Sequence, residues 1–266
     1  MFIGHYALAF AAKRVAPRTS LGTLFVAPTF ADLLWPVFLL LGIEHAHVVS
    51  GPNPFLTLWL DDDPYSHSLF ALIVWGAIFG YFYKVKTGDK RAAVVIGLLV
   101  VSHWVLDFVT HRPDIQIYPG GAKLGLGLWN SPAATVIVES VMLLAGVVIY
   151  TRVTRARDGI GRWGLWGMVV LLAGSYLSTL FTPSPADMRA VAIGGIIFES
   201  LFVLLAWWVI DTGRYTRYPS ARRHERGDSS CRRANVPSCI STSDRRVLRS
   251  PSPSPRRCCS SGAIVG

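Results

Sequence analysis

The sequence predicts an all-α fold: a polytopic transmembrane helix bundle of about six spans, preceded by a short N-terminal helix. Three observations support this prediction. Hydrophobic residues make up 52% of the 266 residues and charged residues only 16%, against roughly 25% charged in a typical soluble domain. Six apolar stretches approach the roughly 20 residues that a spanning helix needs. Finally, the basic residues favour alternate loops, as expected of a multi-pass membrane protein.

The apolar stretches define the predicted spans. They lie near residues 21–43, 66–84, 92–110, 132–150, 163–182 and 190–210. Residues 1–12 are apolar but too short to cross a bilayer. Lys13 and Arg14 follow this apolar run, whereas the basic residues of a signal peptide precede it. We therefore predict that residues 1–12 form a short helix packed into the bundle.

The loops predict an orientation in the membrane. Eleven Lys and Arg residues lie in the loops on one side of the six spans and three on the other. Basic loops stay in the cytoplasm. We therefore expect residues 44–65, 111–131 and 183–189 to lie outside and the C terminus to be cytoplasmic.

The chain divides by composition into a transmembrane domain, 1–211, and a basic tail, 212–266. The tail has twelve Arg against three acidic residues, while the rest has fourteen Lys and Arg against thirteen Asp and Glu. The body is therefore not a nucleic-acid binder by charge. The Ser-, Arg- and Pro-rich tail has little to bury, which predicts disorder. A lipid- or RNA-binding tail, or an unrelated C terminus after Tyr218, remains an alternative.

Ionisable groups at span depth are the candidate functional residues, because an unpaired one costs several kcal/mol in hydrocarbon. His103 and Asp107 are four residues apart and project from one helix face. His111 extends that face, and Pro113 places it at the helix end. Imidazole and carboxylate groups on one face are typical transition-metal ligands. A hydrogen-bonded polar stripe or a proton relay would use the same spacing.

Three further segments contribute candidates. Asp32 lies in the first predicted span beside Pro36, which is expected to kink the helix and free a carbonyl. Such a break either lines a cavity or is a plain kink with Asp32 paired to a neighbouring helix. Ser66 is predicted to cap the second span, which places His67 in its first turn. Glu139 in the fourth span could act as an outer-shell partner or general base.

These segments together resemble the bacterial YdjM-like (LexA-binding) family of inner-membrane metal-dependent hydrolases. The resemblance covers roughly residues 1–120 and rests on four motifs, which read here as Gly4-His5, Asp32, Ser66-His67-Ser68-Leu69 and HWVLDFVTHRPDIQIYP at 103–119. The chain departs from the family at two places. An acid pair or Asp-His is frequent where Asp32 stands alone, and a histidine is frequent at the position of Asp62.

The resemblance implies a divalent metal site in the outer half of a bacterial inner-membrane protein. The implied ligands are His5, Asp32, His67, His103 and Asp107, with His111 as an alternate. Mixed imidazole and carboxylate ligands suit zinc, and also manganese or iron. Asp62 and Glu139 are the candidate catalytic residues.

The predicted function is metal-dependent hydrolysis of a lipid-like ester or phosphoester near the outer leaflet of the membrane. A transporter or ion pathway would use the same buried groups, and a non-catalytic membrane scaffold is the third alternative. The sequence does not indicate the oligomeric state.

Overall fold

The structure, a computed structural model, describes residues 2–217. It confirms an all-α transmembrane helix bundle in which the strands are short two-stranded pairs. The predicted disorder of the tail concerns residues that lie almost wholly outside this described range.

The helices are α1 (Ile3–Ala12), α2 (Leu21–Val26), α3 (Phe30–Leu40), α4 (Leu69–Thr87), α5 (Lys90–Thr110), α6 (Pro132–Val153), α7 (Gly159–Ser178), α8 (Met188–Leu205) and α9 (Asp211–Gly213). A π-helical turn, Ala206–Ile210, joins α8 to α9. The strands form three antiparallel pairs: β1 (His45–Val48) with β2 (Leu58–Asp62), β3 (Ile115–Gln116) with β4 (Lys123–Leu124), and β5 (Thr154–Ala156) with β6 (Arg214–Thr216).

Within residues 2–217, five helical segments are long and apolar enough to cross a membrane: α4, α5, α6, α7 and the continuous segment from α8 through α9. Their outward faces carry large apolar side chains. Phe82, Leu98 and Ile137 are each more than 60% exposed. Apolar residues around the whole circumference are typical of helices surrounded by lipid.

The predicted first span, 21–43, is not one continuous helix. It consists of α2 and α3, and the break lies at residues 27–29, before Asp32, instead of at Pro36. Pro28 has no backbone N–H to continue the hydrogen-bond ladder. Pro36 is accommodated inside α3. The short N-terminal helix is present as α1, and its Tyr6 and Phe10 are almost completely buried.

Side-chain caps fix where most of the long helices begin. Ser68, Asp89, Ser131, Asp158 and Asp187 each accept a hydrogen bond from the backbone N–H three residues later. The cap of α4 is therefore Ser68 instead of the predicted Ser66, so His67 precedes the helix.

Small residues set the spacing of the α4–α5 hairpin. A Cβ atom added to Gly76 would lie 2.7 Å from the carbonyl oxygen of Gly97, and one added to Gly80 would lie 2.9 Å from that of Ala93. Close backbone approach of this kind is a common way for membrane helices to pack, because it increases their van der Waals contact.

Residues 212–217, assigned to the tail by composition, pack on the bundle. Strand β6 pairs with β5, and the backbone N–H of Arg217 donates to the carbonyl of Val153. The Arg214 guanidinium lies over the Tyr150 ring and donates to Thr154 Oγ1. The ordered body thus extends at least to Arg217.

The body's C-terminal boundary can be tested with two truncated chains. A chain ending at Arg217 should keep its thermal midpoint, because every contact described above remains. A chain ending at Gly213 loses β6 and the Arg214 contacts, worth about 2 kcal/mol. Its midpoint should fall by about 4–8 °C. A large loss in the longer chain would show that residues 218–266 stabilise the body.

The orientation predicted from the loop charges can be tested by labelling. In full-length protein with Cys231, Cys239, Cys258 and Cys259 replaced by serine, Ser50→Cys and Lys86→Cys should react with an impermeant thiol reagent from opposite sides of the membrane. Labelling of both positions from the same side would contradict the orientation.

Candidate metal centre

The fold brings the six predicted metal ligands together at one end of the bundle. They lie on separate segments: His5 on α1, Asp32 on α3, His67 just before α4, His103 and Asp107 on α5, and His111 just after α5. The cluster is at the end of the α4–α5 hairpin opposite the basic turn at 84–91. His5, His67, His103, Asp107 and His111 are buried, and Asp32 is half-buried.

Asp107 lies between two histidines. Its Oδ2 is 3.0 Å from His103 Nε2, and its Oδ1 is 3.2 Å from His5 Nε2. The imidazole rings of His5 and His103 stack with centroids 4.1 Å apart. Metal bonds of about 2.0–2.2 Å place neighbouring ligand atoms about 3.0–3.5 Å apart. The His5, His103 and Asp107 group therefore has the spacing of a coordination shell.

A second group shares His103. Asp32 Oδ1 lies 3.5 Å from His67 Nε2 and 3.8 Å from His103 Nε2. In each group the donor atoms lie within 4.8 Å of one another, so each could hold a metal ion. His111 Nε2 approaches from a third direction and lies 3.9 Å from Asp107 Oδ2.

Three of the histidines are oriented by partners on the ring nitrogen that points away from the cluster. His103 Nδ1 lies 2.7 Å from the carbonyl oxygen of Pro28. His67 Nδ1 lies 2.7 Å from Ser66 Oγ, and His111 Nδ1 lies 3.0 Å from Asp114 Oδ1. Each interaction directs Nε2 inward. Metal-ligating histidines typically have such a partner on the other nitrogen.

The inward nitrogen of His103 faces the Asp107 carboxylate at 3.0 Å. His103 Nε2 is completely buried and has no hydrogen-bond partner of suitable geometry within residues 2–217, although Asp107 lies close. Buried polar atoms are normally paired. A bound cation would satisfy this lone pair, so the observation agrees with the donor chemistry of the group.

Glu139 holds the α1 end of the cluster in place. Its Oε2 accepts hydrogen bonds from the backbone N–H groups of Ile3 and Gly4, at 2.7 and 3.2 Å. These N–H groups are the unpaired donors of the first turn of α1, which carries His5. Glu139 is buried and absent from the cavity wall. The structure thus gives it a positioning role, and general-base action stays a sequence prediction.

Glu44, which no sequence pattern singled out, orders the segment before His67. Its carboxylate accepts from the backbone N–H groups of Tyr65 and Ser66 and from Ser66 Oγ. Ser66 in turn contacts His67 Nδ1. Burial lowers the pKa of His67, but the hydrogen bond to Asp32 and the nearby Asp63 outweigh it, so the pKa is raised to about 9.

The acidic residue beside His67 is Asp63. Asp62, the candidate catalytic residue, lies away from the cluster. Asp62 is exposed on β2 and accepts a hydrogen bond from Gln116 Nε2. Asp63 is fully buried, and its Oδ2 lies 4.0 Å from His67 Nδ1. Burial raises the pKa of Asp63 to about 6. Asp63 lies beyond the C-terminal end of β2, in the segment that leads to His67.

A cavity of about 370 Å³ opens onto the cluster. Asp32, His67, Asp107 and His111 contribute its polar wall. The remaining wall is mainly apolar and includes Phe2, Trp35, Pro36, Leu58, Leu60, Trp129, Val191 and Phe198. Glu199 also lines the cavity, and its Oε2 accepts a hydrogen bond of 2.5 Å from Tyr6 Oη. The volume lies within the usual range for small-molecule sites, about 300–1,000 Å³.

Comparison with known proteins does not identify a family. A scan against protein-family models finds no match, and searches of curated proteins and of solved structures find none either. The resemblance to the YdjM-like family therefore stays a prediction. What indicates a function is the geometry of the cluster and cavity.

Proposed function

We propose that the protein is a membrane-embedded, metal-dependent hydrolase acting on a lipid-like ester or phosphoester. The observation that supports it most directly is the buried set of histidine Nε2 and aspartate oxygen atoms next to a cavity. Three of these histidines are held in orientation by partners on their other ring nitrogen. These residues fit a divalent cation by donor type and spacing, and zinc, manganese or iron would accept them.

In this proposal the chain's own residues bind the cation and position the substrate. A divalent cation there supplies Lewis-acid catalysis, because it stabilises negative charge on a carbonyl or phosphoryl oxygen. Hydrolysis breaks the ester bond: water gives its hydroxyl group to the acyl or phosphoryl group and its proton to the leaving alcohol. The apolar wall excludes bulk water, which strengthens the electrostatic interactions inside.

The position of the cavity supports an amphiphilic substrate. Its wall combines the histidine and aspartate cluster and Glu199 with apolar residues of α3, α8 and β2. Ile193 and Ile197 on α8 are exposed and would face lipid. A molecule in the cavity could place its polar group at the cluster while its chain lies against the apolar wall.

Gly194 offers a test of this placement. It lines the cavity, and an added Cβ meets no atom within 4 Å. Gly194→Leu should therefore fold but occupy the space of the apolar chain. We expect hydrolysis of long-chain substrates to fall about tenfold or more, with short-chain substrates much less affected. Gly174→Leu on α7, also in open space, is the control, and equal loss for both chain lengths would contradict chain binding there.

A transport pathway is less well supported. Aromatic side chains fill the core next to His5: Tyr6 packs against Phe25, and Phe25 packs against Phe10. Phe10 continues the contact to Tyr150 near the basic side. A transporter needs a polar route through both halves of the bilayer, whereas this arrangement favours a site accessible from one side.

The proposed function is tested by metal-dependent hydrolysis. Full-length protein in detergent would be stripped with a chelator and assayed with fluorogenic carboxyl-ester and phosphoester lipids, before and after adding Zn²⁺, Mn²⁺ or Fe²⁺. We expect activity to require the added metal and to be abolished by Asp32→Asn. Metal binding without hydrolysis of either class would favour a non-catalytic role.

A further inference from the structure

Glu199 is a buried carboxyl group that the proposed metal site does not use. It lies on α8 and is 8% exposed, and it lines the same cavity as the candidate ligands. In the part of the chain that the structure describes, no Lys, Arg or His forms an ion pair with it. An ionised carboxyl group without a cationic partner is costly in an apolar environment. Such surroundings suit a carboxyl group that holds a proton and gives it up during a reaction.

The packing of α3 against α8 brings Glu199 level with Asp32. The last turn of α3 and the first turn of α8 line one surface pocket, so the two helices run antiparallel. Further along, Pro36 Cγ lies 3.4 Å from the position of a Cβ atom added to Gly195. One helical turn closer to the start of α3 lies Asp32, and one turn further along α8 lies Glu199. The two carboxyl groups thus face the cavity from packed helices, close enough to interact electrostatically.

A hydrogen bond from Tyr6 orients the Glu199 carboxyl group. Tyr6 Oη donates to Glu199 Oε2 at 2.5 Å. The Tyr6 ring is almost completely buried on α1 and packs edge-on against Phe25 and Phe202, which fixes the position of this donor. The bond engages one of the two carboxyl oxygens. The carboxyl group is therefore held in place, as a proton donor must be to reach a reacting atom.

The other carboxyl groups that the sequence favoured as catalytic are poorly placed for this task. Neither Glu139 nor Asp62 lines the cavity, whereas Glu199 does. Asp32 and Asp107 also line it, but in the proposed function they bind the metal. Among the described residues, Glu199 is thus the carboxyl group of the cavity wall that is left to transfer a proton.

We propose that Glu199 is the proton donor to the leaving alcohol, an inference that rests on the proposed hydrolase function. The attacking water gives its hydroxyl group to the acyl or phosphoryl group. The bond from that group to the ester oxygen breaks, and its electron pair stays on the ester oxygen, which takes the proton from Glu199. The proton lost by the water then restores Glu199, so the reaction consumes only the ester and one water.

The test compares leaving groups that differ in their need for a proton. Full-length protein in detergent, loaded with Zn²⁺, is assayed with long-chain esters and phosphoesters of an alkyl alcohol and of a fluorogenic phenol. An alkoxide leaves poorly without a proton, whereas a phenolate leaves as a stable anion. Glu199→Gln should therefore hydrolyse the alkyl substrates about 100- to 10,000-fold more slowly and the phenol substrates at a much less reduced rate.

Two further variants control this comparison. Glu199→Asp keeps a carboxyl group and should recover part of the rate on alkyl substrates. Asp61→Asn removes an exposed carboxyl group on β2 and should change neither rate. Glu199→Gln should keep its zinc content and thermal midpoint, because the amide oxygen can still accept the hydrogen bond from Tyr6.

Infrared spectroscopy gives a readout that does not depend on activity. The difference spectrum between wild type and Glu199→Gln should contain the carbonyl-stretch band of a protonated carboxyl group, and this band should shift in heavy water. Absence of the band, loss of zinc from Glu199→Gln, or an equal loss of rate for both leaving groups would overturn the assignment and leave the hydrolase function standing. A wild type without metal-dependent hydrolysis would overturn both.

Discussion

His103→Ala should abolish stable metal binding, because both groups of donors include His103. Removing an outer-shell partner alone typically costs about 10- to 100-fold in metal affinity. Loss of this ligand should therefore lower the affinity by more than about 100-fold. Elemental analysis of the purified protein, followed by a competition assay with a chromophoric chelator, measures both the content and the affinity.

Two controls separate a loss of ligand from a loss of fold. His103→Ala also removes the bond to the Pro28 carbonyl, which should cost about 1–3 kcal/mol of stability. His103→Asn could retain a bond to that carbonyl through its amide while offering no imidazole. It should keep more of the thermal midpoint and still lose the metal. His47→Ala removes an exposed histidine and should change neither the thermal midpoint nor the metal content. Full metal content in His103→Ala would contradict the site.

Glu139→Ala should destabilise the protein and weaken metal binding from a distance. Two buried N–H groups of α1 lose their acceptor, which should cost about 2–5 kcal/mol. The first turn of α1 would then loosen and displace His5. Thermal unfolding and metal affinity would be measured on the same preparations. Stability and affinity should fall together.

Glu139→Gln distinguishes positioning from general-base action. The amide oxygen can still accept from the first turn of α1, so stability and metal affinity should largely recover. If Glu139 only positions α1, hydrolysis should recover together with stability and metal affinity. If Glu139 were the general base, the amide could not take up a proton, and activity would be lost while metal binding was retained.

Helix periodicity and the restriction that a proline places on the preceding residue predicted the parts of the site that lie within one segment. The four-residue spacing of His103, Asp107 and His111 places them on one side of α5, and Pro113 correctly indicated the end of that helix. The structure adds Asp114 as the partner of His111. The turn at Pro113 could have suggested it, since it keeps residues 111 and 114 close together.

Contacts between distant segments could not be predicted in this way. Glu139 reaches the start of α1 across 135 residues of sequence, and Glu44 contacts Ser66 across 22. Such pairs depend on how the helices pack, which periodicity does not encode. The break at Pro28 was also missed. Both prolines in this segment weaken a helix, and tertiary contacts, including the His103 bond to the Pro28 carbonyl, help to determine which one interrupts it.

Metal binding by the buried histidine and aspartate side chains underlies every functional proposal made for this protein. Extended X-ray absorption at the edge of the metal that copurifies with the full-length chain tests it most directly. A metal held by this cluster should show a shell of nitrogen and oxygen neighbours at about 2.0–2.2 Å with imidazole outer-shell scattering, and His103→Ala should lose that imidazole signal. Protein that carries no metal after purification and binds none on addition of Zn²⁺, Mn²⁺ or Fe²⁺ would contradict it.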